Sequence, residues 1–77
     1  MIAAYVLVQA EVGRGASVGK EVAAIEQVRS ADIVTGPYDV IAVVEAENID
    51  ELGRLVVAKI QAVDGVTRTL TCPVIHF

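Results

Sequence analysis

Residues able to do chemistry are sparse in this chain, and those with a useful spacing fall in two places. Gly36-Pro37-Tyr38-Asp39 sets a phenol, a carboxylate and several free amides side by side. Thr67, Thr69 and Thr71 share one face of an extended segment, with Arg68, Leu70 and Cys72 on the other, because side chains alternate along a strand. These groups offer hydrogen-bond donors and acceptors, not a nucleophile with its base. Each also has a purely structural reading. Glycine, proline and aspartate between two β-rich runs mark the reversal of a hairpin, and threonines suit strands.

Other constellations that carry chemistry are missing. There is no glycine-rich phosphate loop, no Cys or His pair at metal spacing and no serine in a nucleophile-elbow context. No metal site or cofactor is therefore expected. Gly13-Arg14-Gly15 is too short for a dinucleotide fingerprint and reads as a flexible connection. His76, the sole histidine, stands one residue from the C-terminus, where a rigidly oriented general base is not expected. Asp32 could pair with Asp39, but a solvated strand-end carboxylate is the default.

Composition narrows the classes further. The chain has 77 residues, 55% of them apolar, with ten acidic and six basic residues and a formal charge of −4. The basic residues are scattered, so the electrostatic footprint of nucleic-acid binding is missing. A domain this small hides only about 60% of its unfolded surface, so a high apolar fraction points to surface buried against another chain. The single cysteine, Cys72, cannot form an internal disulfide and is expected as a small core residue. Met1 to Ala10 lacks a basic leader, and no run approaches the ~20 residues that cross a bilayer. A soluble, cytoplasmic protein with no membrane partner is expected.

The elements that must position these residues follow from periodicity. Ile2 to Glu11 is apolar on both faces until Gln9 and reads as a strand covered on both sides. Ser17 is the expected N-cap of a helix over 17–29, with Val18, Val22, Ile25 and Val28 on its apolar stripe. Ala31 to Thr35 and Asp39 to Glu47 are the next two strands. Asn48 with Glu51 resembles a capping box that opens a second helix. Leu52, Leu55, Val56, Ile60 and Val63 line its inner face, and Gly65 is its expected C-cap. Val66 to Phe77 is the last strand, and Pro73 marks it as an edge strand or a bulge.

The order is β-α-β-β-α-β over residues 1–77, a single domain. That is an α+β, ferredoxin-like unit: a four-stranded antiparallel sheet with two helices on one face. Helices cover only one face, so an apolar second face predicts face-to-face dimerisation. RNA recognition on this topology would need aromatics on the first and third strands, where only Tyr5 is present. A metal carrier would need Cys-x-x-Cys after the first strand, which is absent.

At this point the sequence resembles the effector-binding (RAM-type) domain of the Lrp/AsnC family of transcriptional regulators. The resemblance rests on an ordered set of motifs. Gly36, Tyr38 and Asp39 form a Gly-x-Tyr-Asp turn, and the following apolar strand ends on Glu45 and Glu47. The helix through Asp50-Glu51-Leu52, Leu55-Val56 and Ile60 comes next, and Gly65, Val66, Arg68, Thr69 and Thr71 match the closing strand. The resemblance implies a dimeric α/β barrel, assembly of dimers into octameric or decameric rings, and a small effector, usually an amino acid, bound between dimers. Carried over by motif, the ligand-binding residues are Gly36, Tyr38, Asp39, Thr69 and Thr71.

Physical chemistry is compatible with that site. Turn amides and threonine hydroxyls can donate to a carboxylate, Asp39 can accept from an ammonium, and the Tyr38 ring can wall a side-chain pocket. Full-length regulators of the family carry an N-terminal helix-turn-helix domain. This sequence starts at the first strand, so it resembles the stand-alone form, without a DNA-binding domain of its own. Sensing amino acids and mixing into rings with full-length regulators are its expected uses. The alternative is a small dimeric α/β-barrel enzyme, isomerase or monooxygenase-like, which should keep a titratable cluster inside the barrel; the inward candidates are mostly Ala, Val and Leu. A third reading is an assembly domain whose turn binds nothing.

Overall fold

The alternation along Ile2–Ala10 (β1) sorts its side chains onto two unlike faces. Ala4, Val6 and Val8 are fully buried, whereas Tyr5 on the opposite face is 48% exposed. A computed structural model describes residues 1–76 and places β1 at the centre of the sheet. The other elements are α1 (Gly15–Ala23), β2 (Val28–Ile33), β3 (Val40–Ala46), α2 (Ile49–Arg54), a π-helical continuation over Leu55–Ile60, and β4 (Val66–Pro73). The strand order is β2-β3-β1-β4, and every neighbouring pair is antiparallel. This is the expected ferredoxin-like βαββαβ architecture.

Both helices press on one face. Val18 and Val22 from α1, Leu52 from α2, and Leu55, Val56 and Ile60 from the π segment form one core with Val6, Val8, Val40 and Val44. The sequence reading of β1 as covered on both faces therefore holds for one face within a single chain. On the helix-free face Leu7 stands opposite Ile41 and Leu70, and Tyr5 opposite Val43 and Cys72. Cys72 is exposed, contrary to its expected core position. Period-two alternation, not the usual burial of cysteine, decides its place: it faces away from the helices beside Tyr5.

Element boundaries depart from the sequence reading where apolar spacing fits two structures. The first helix spans Gly15–Ala23, not 17–29, and Ser17 lies inside its first turn, where its hydroxyl donates to the Arg14 carbonyl at 3.1 Å. Tight i→i−3 bonds from Ala24 to Glu21 and from Ile25 to Val22 wind the helix down. Val28 continues the helical stripe in sequence, yet it is buried as the first residue of β2, paired with Val44. Strand two thus runs Val28–Ile33, earlier than the expected Ala31 to Thr35, because Val28 finds its burial against the sheet and not against the helix stripe.

The second helix starts as expected and ends differently. Asn48 caps it, its side-chain oxygen accepting from Glu51 N–H at 2.9 Å. The reciprocal half of the capping box is replaced by a pair between Glu51 and Arg54. The helix closes at Ile60 rather than at Gly65. Gly65 instead takes φ +99° in the turn before β4, and its carbonyl accepts from Glu11 N–H at 2.8 Å. Arg14 pins the same turn to the start of α1 through Asp64 (2.9 Å), and that hydrogen bond and charge raise the guanidinium's pKa.

The closing strand is an edge strand with Pro73 as its last residue, as the proline requires. It stops four residues before the expected end at Phe77, which lies outside the described residues. Its pairing jumps from Gln9↔Arg68 to Ala10↔Val66, so Thr67 is the extra residue of a β-bulge.

Candidate functional site

Asp39 locks the hairpin turn onto the end of β1. Its Oδ2 accepts from Ala10 N–H at 2.7 Å, its own N–H donates to the Val8 carbonyl at 2.9 Å, and its carbonyl accepts from Val34 N–H at 2.9 Å. Gln9 adds a bond from its side-chain amide to the Pro37 carbonyl at 3.3 Å. Gly36 has φ +145°, a conformation that favours glycine, with open space around it. The Asp39 carboxylate also faces the start of α1: a Cβ at Gly15 would stand 3.6 Å from Asp39 Cβ and 4.0 Å from Oδ1. The turn is therefore tied to β1 by both the backbone and the side chain of Asp39, and one carboxylate oxygen is already committed inside the chain.

The threonines lie on the other side of β1. Val8 pairs with Val40 on one flank and with Thr69 on the other, so Thr69 sits level with the turn, about 10 Å away across two strand spacings. Thr71 pairs with Val6, about 7 Å further from that end. Because Val6 and Val8 face the helices, Thr69 and Thr71 do too. Thr69 Oγ1 accepts from Gln61 Nε2 at 2.8 Å. Gln61, Val66, Thr67, Arg68 and Thr69 line an open hollow of about 410 Å³. Thr71 instead borders an apolar hollow with Leu52, Val56, Val57 and Pro73. The turn and Thr69 thus lie at one sheet end on either side of β1, and Thr71 lies further along β4.

Residues that the sequence reading weighed elsewhere stay apart. Asp32 pairs with Ile41 within the sheet, while Asp39 serves Ala10, so they form no acid pair. His76 is exposed beyond β4. Among the described residues no three His, Cys, Asp or Glu side chains come together as metal ligands. A separate groove at the opposite sheet end, bordered by Glu26, Glu47 and Glu51, contains the Arg29–Glu45 pair at 2.7 Å. Ala10 and Gln61 were missed from sequence. An unremarkable alanine N–H and a glutamine at a helix end carry no composition signal.

Fold and site together define a ferredoxin-like domain with a clamped hairpin turn and a polar strand edge. The profile of the Lrp/AsnC ligand binding domain matches residues 3–76. The chain is 32% identical over 71 residues to an uncharacterized HTH-type transcriptional regulator of Pyrococcus furiosus, covering 88% of this chain and 47% of that protein. It thus spans about half the length of the curated relatives it matches. Among solved structures, TTHA0845 from Thermus thermophilus is 35% identical with a TM-score of 0.92, covering 100% of this chain and 96% of that one. A hypothetical protein from Pyrococcus horikoshii is 27% identical with a TM-score of 0.88, covering 100% and 93%. The feast or famine regulatory protein of M. tuberculosis, complexed with L-methionine, shares the fold at 19% identity and a TM-score of 0.84, covering 100% and 52%. This chain belongs to the Lrp/AsnC family, as its ligand-binding domain.

Proposed function

We propose that this domain is a non-enzymatic sensor and oligomerisation module that binds an amino acid between subunits. The observation that carries the reading is the split arrangement: a turn clamped to β1, with Gly36, Tyr38 and Asp39, on one side of that strand, and Thr69 with Thr71 on the other. Neither half encloses a ligand alone, so a neighbouring subunit completes the pocket. Turn amides and Thr69 supply donors for a carboxylate, and the remaining oxygen of Asp39 accepts from an ammonium. The methionine complex of a structural neighbour supports the ligand class.

Assembly follows from the helix-free face. Tyr5 and Leu70, 48% and 46% exposed, border an apolar sheet centre that a second copy covers. Dimers formed this way close into an octameric or decameric ring, and full-length Lrp/AsnC regulators can enter it. Among the described residues no helix is long and apolar enough to cross a membrane, and the cytoplasm is the proposed compartment. Operator contact through this domain is not part of the proposal, since its basic residues are dispersed and the formal charge is −4.

Thermal denaturation with each of the twenty amino acids at millimolar concentration tests the reading. A ligand at a hundred times its Kd stabilises by about 2.7 kcal/mol, which moves the midpoint of a small domain by many degrees. No shift with any amino acid contradicts it.

A further inference from the structure

The three threonines of β4 are not equivalent, and Gln61 is the reason. Thr67 has its proton committed: its hydroxyl donates to the Gln9 carbonyl at 3.1 Å. Thr69 is in the opposite state. Gln61 Nε2 donates to Thr69 Oγ1 at 2.8 Å, which occupies a lone pair of the hydroxyl and leaves its proton without an acceptor among the described residues. A hydroxyl has one proton and two lone pairs, so a donor placed on its oxygen turns the proton outward.

The winding of the second helix makes that contact. Gln61 N–H bonds to the Val56 carbonyl at 2.8 Å, a reach of five residues rather than four. The π turn advances the chain by one residue without adding a full α step. Ile60 stays fully buried while Gln61, next in sequence, lies over the edge strand. An uninterrupted α-helix would rotate Gln61 by about 100° and aim its amide elsewhere.

We propose that Gln61 is a positioning residue that fixes Thr69 as a hydrogen-bond donor and thereby selects ligands that end in a carboxylate. The inference rests on the amino-acid sensor reading. A carboxylate only accepts, so it matches an outward hydroxyl proton with a charge-assisted bond. A carboxamide, which also presents N–H donors, matches it less well. Specificity for the acid terminus thus comes from a residue that need not touch the ligand carboxylate.

The test is calorimetric titration of the twenty amino acids, followed by the tightest one against its carboxamide, with wild type, Gln61→Glu and Gln61→Met. Gln61 is exposed, and unchanged urea midpoints establish that the variants fold. Glutamate reverses the polarity at Thr69, since it can only accept from the hydroxyl. Wild type is expected to prefer the acid by about tenfold or more. Gln61→Met, which removes the amide without adding charge, should lose most of that preference through weaker acid binding, with carboxamide affinity held within about threefold, and Gln61→Glu should lose at least as much, its charge also repelling the acid. Equal weakening of acid and carboxamide, or an unchanged preference, overturns the role of Gln61 while the sensor reading stands. Absence of binding by every amino acid to wild type overturns the sensor reading and this inference with it.

Discussion

Asp39 Oδ2 lies 2.7 Å from the backbone nitrogen of Ala10, so a side chain from the β2–β3 turn satisfies the amide at the bulged end of β1. The bond spans 29 residues of sequence and is partly buried. It matters because β1 loses ladder regularity at that point, and an unpaired amide there would cost free energy. The residue proposed above to accept from an ammonium is also the one that ties the hairpin turn to the end of β1.

Asp39→Ala should therefore destabilise the fold by about 1–3 kcal/mol, the usual cost of removing a charged partner from a partly buried amide. Asp39→Asn retains an acceptor and should lose less than half of that. Urea unfolding of both variants measures the difference. Equal losses would show that the Ala10 contact contributes little.

Two glycines on helices should respond in opposite directions to alanine. A Cβ at Gly53 meets nothing within 4 Å, so Gly53→Ala should stabilise by about 0.5–1 kcal/mol through helix propensity. A Cβ at Gly19 would fall 2.7 Å from Ile33 Cγ1 and 3.2 Å from Cδ1, with Val40 behind. Overpacking there costs about 1–3 kcal/mol, so Gly19→Ala should be net destabilising despite better propensity. Thermal midpoints of the two variants on either side of wild type are the expected result.

The start of α2 depends on one side chain. Asn48→Ala removes the acceptor for Glu51 N–H and should cost about 1 kcal/mol. Glu51→Ala removes only an exposed pair with Arg54 and should cost no more than about 0.5 kcal/mol. Urea midpoints rank them.

Self-association should fail when the helix-free face is charged. Leu70→Lys places an ammonium beside Leu7 on that face without disturbing the helix-side core. Light scattering should report wild type as an assembly of dimers and the variant as a smaller species, with the far-UV circular dichroism of the two alike. Identical masses would place the interface elsewhere.

The fold was readable because its apolar residues keep the strand and helix periods. β1 and β3 stand out as near-continuous apolar runs of strand length, whose burial alternates only once the helices cover one face, and Gly36 signals the turn that its φ of +145° demands. Boundaries were less readable. Ile25 and Val28 follow Val22 at helical spacing, but Val28 finds its burial against Val44 in the sheet, and periodicity cannot choose between those outcomes. Cys72 follows its strand position opposite Tyr5 and not the burial usual for a free cysteine, so residue type alone misplaces it. At the site, the turn and the threonine row were visible, whereas the clamp on Ala10 needed the register of three strands. Gln61 was invisible for a different reason. Its contact with Thr69 depends on a π turn over Leu55–Ile60, and those residues read as an ordinary amphipathic helix.

Calorimetric titration of amino acids into wild type and Thr69→Val bears most directly on the sensor reading. Valine keeps the shape of threonine and removes the hydroxyl at a half-buried position, and circular dichroism confirms the fold before titration. Saturable binding of at least one amino acid to wild type, weakened about tenfold or more in Thr69→Val, is the predicted result. Absence of saturable heat with all twenty, or equal affinity in the two proteins, would contradict it.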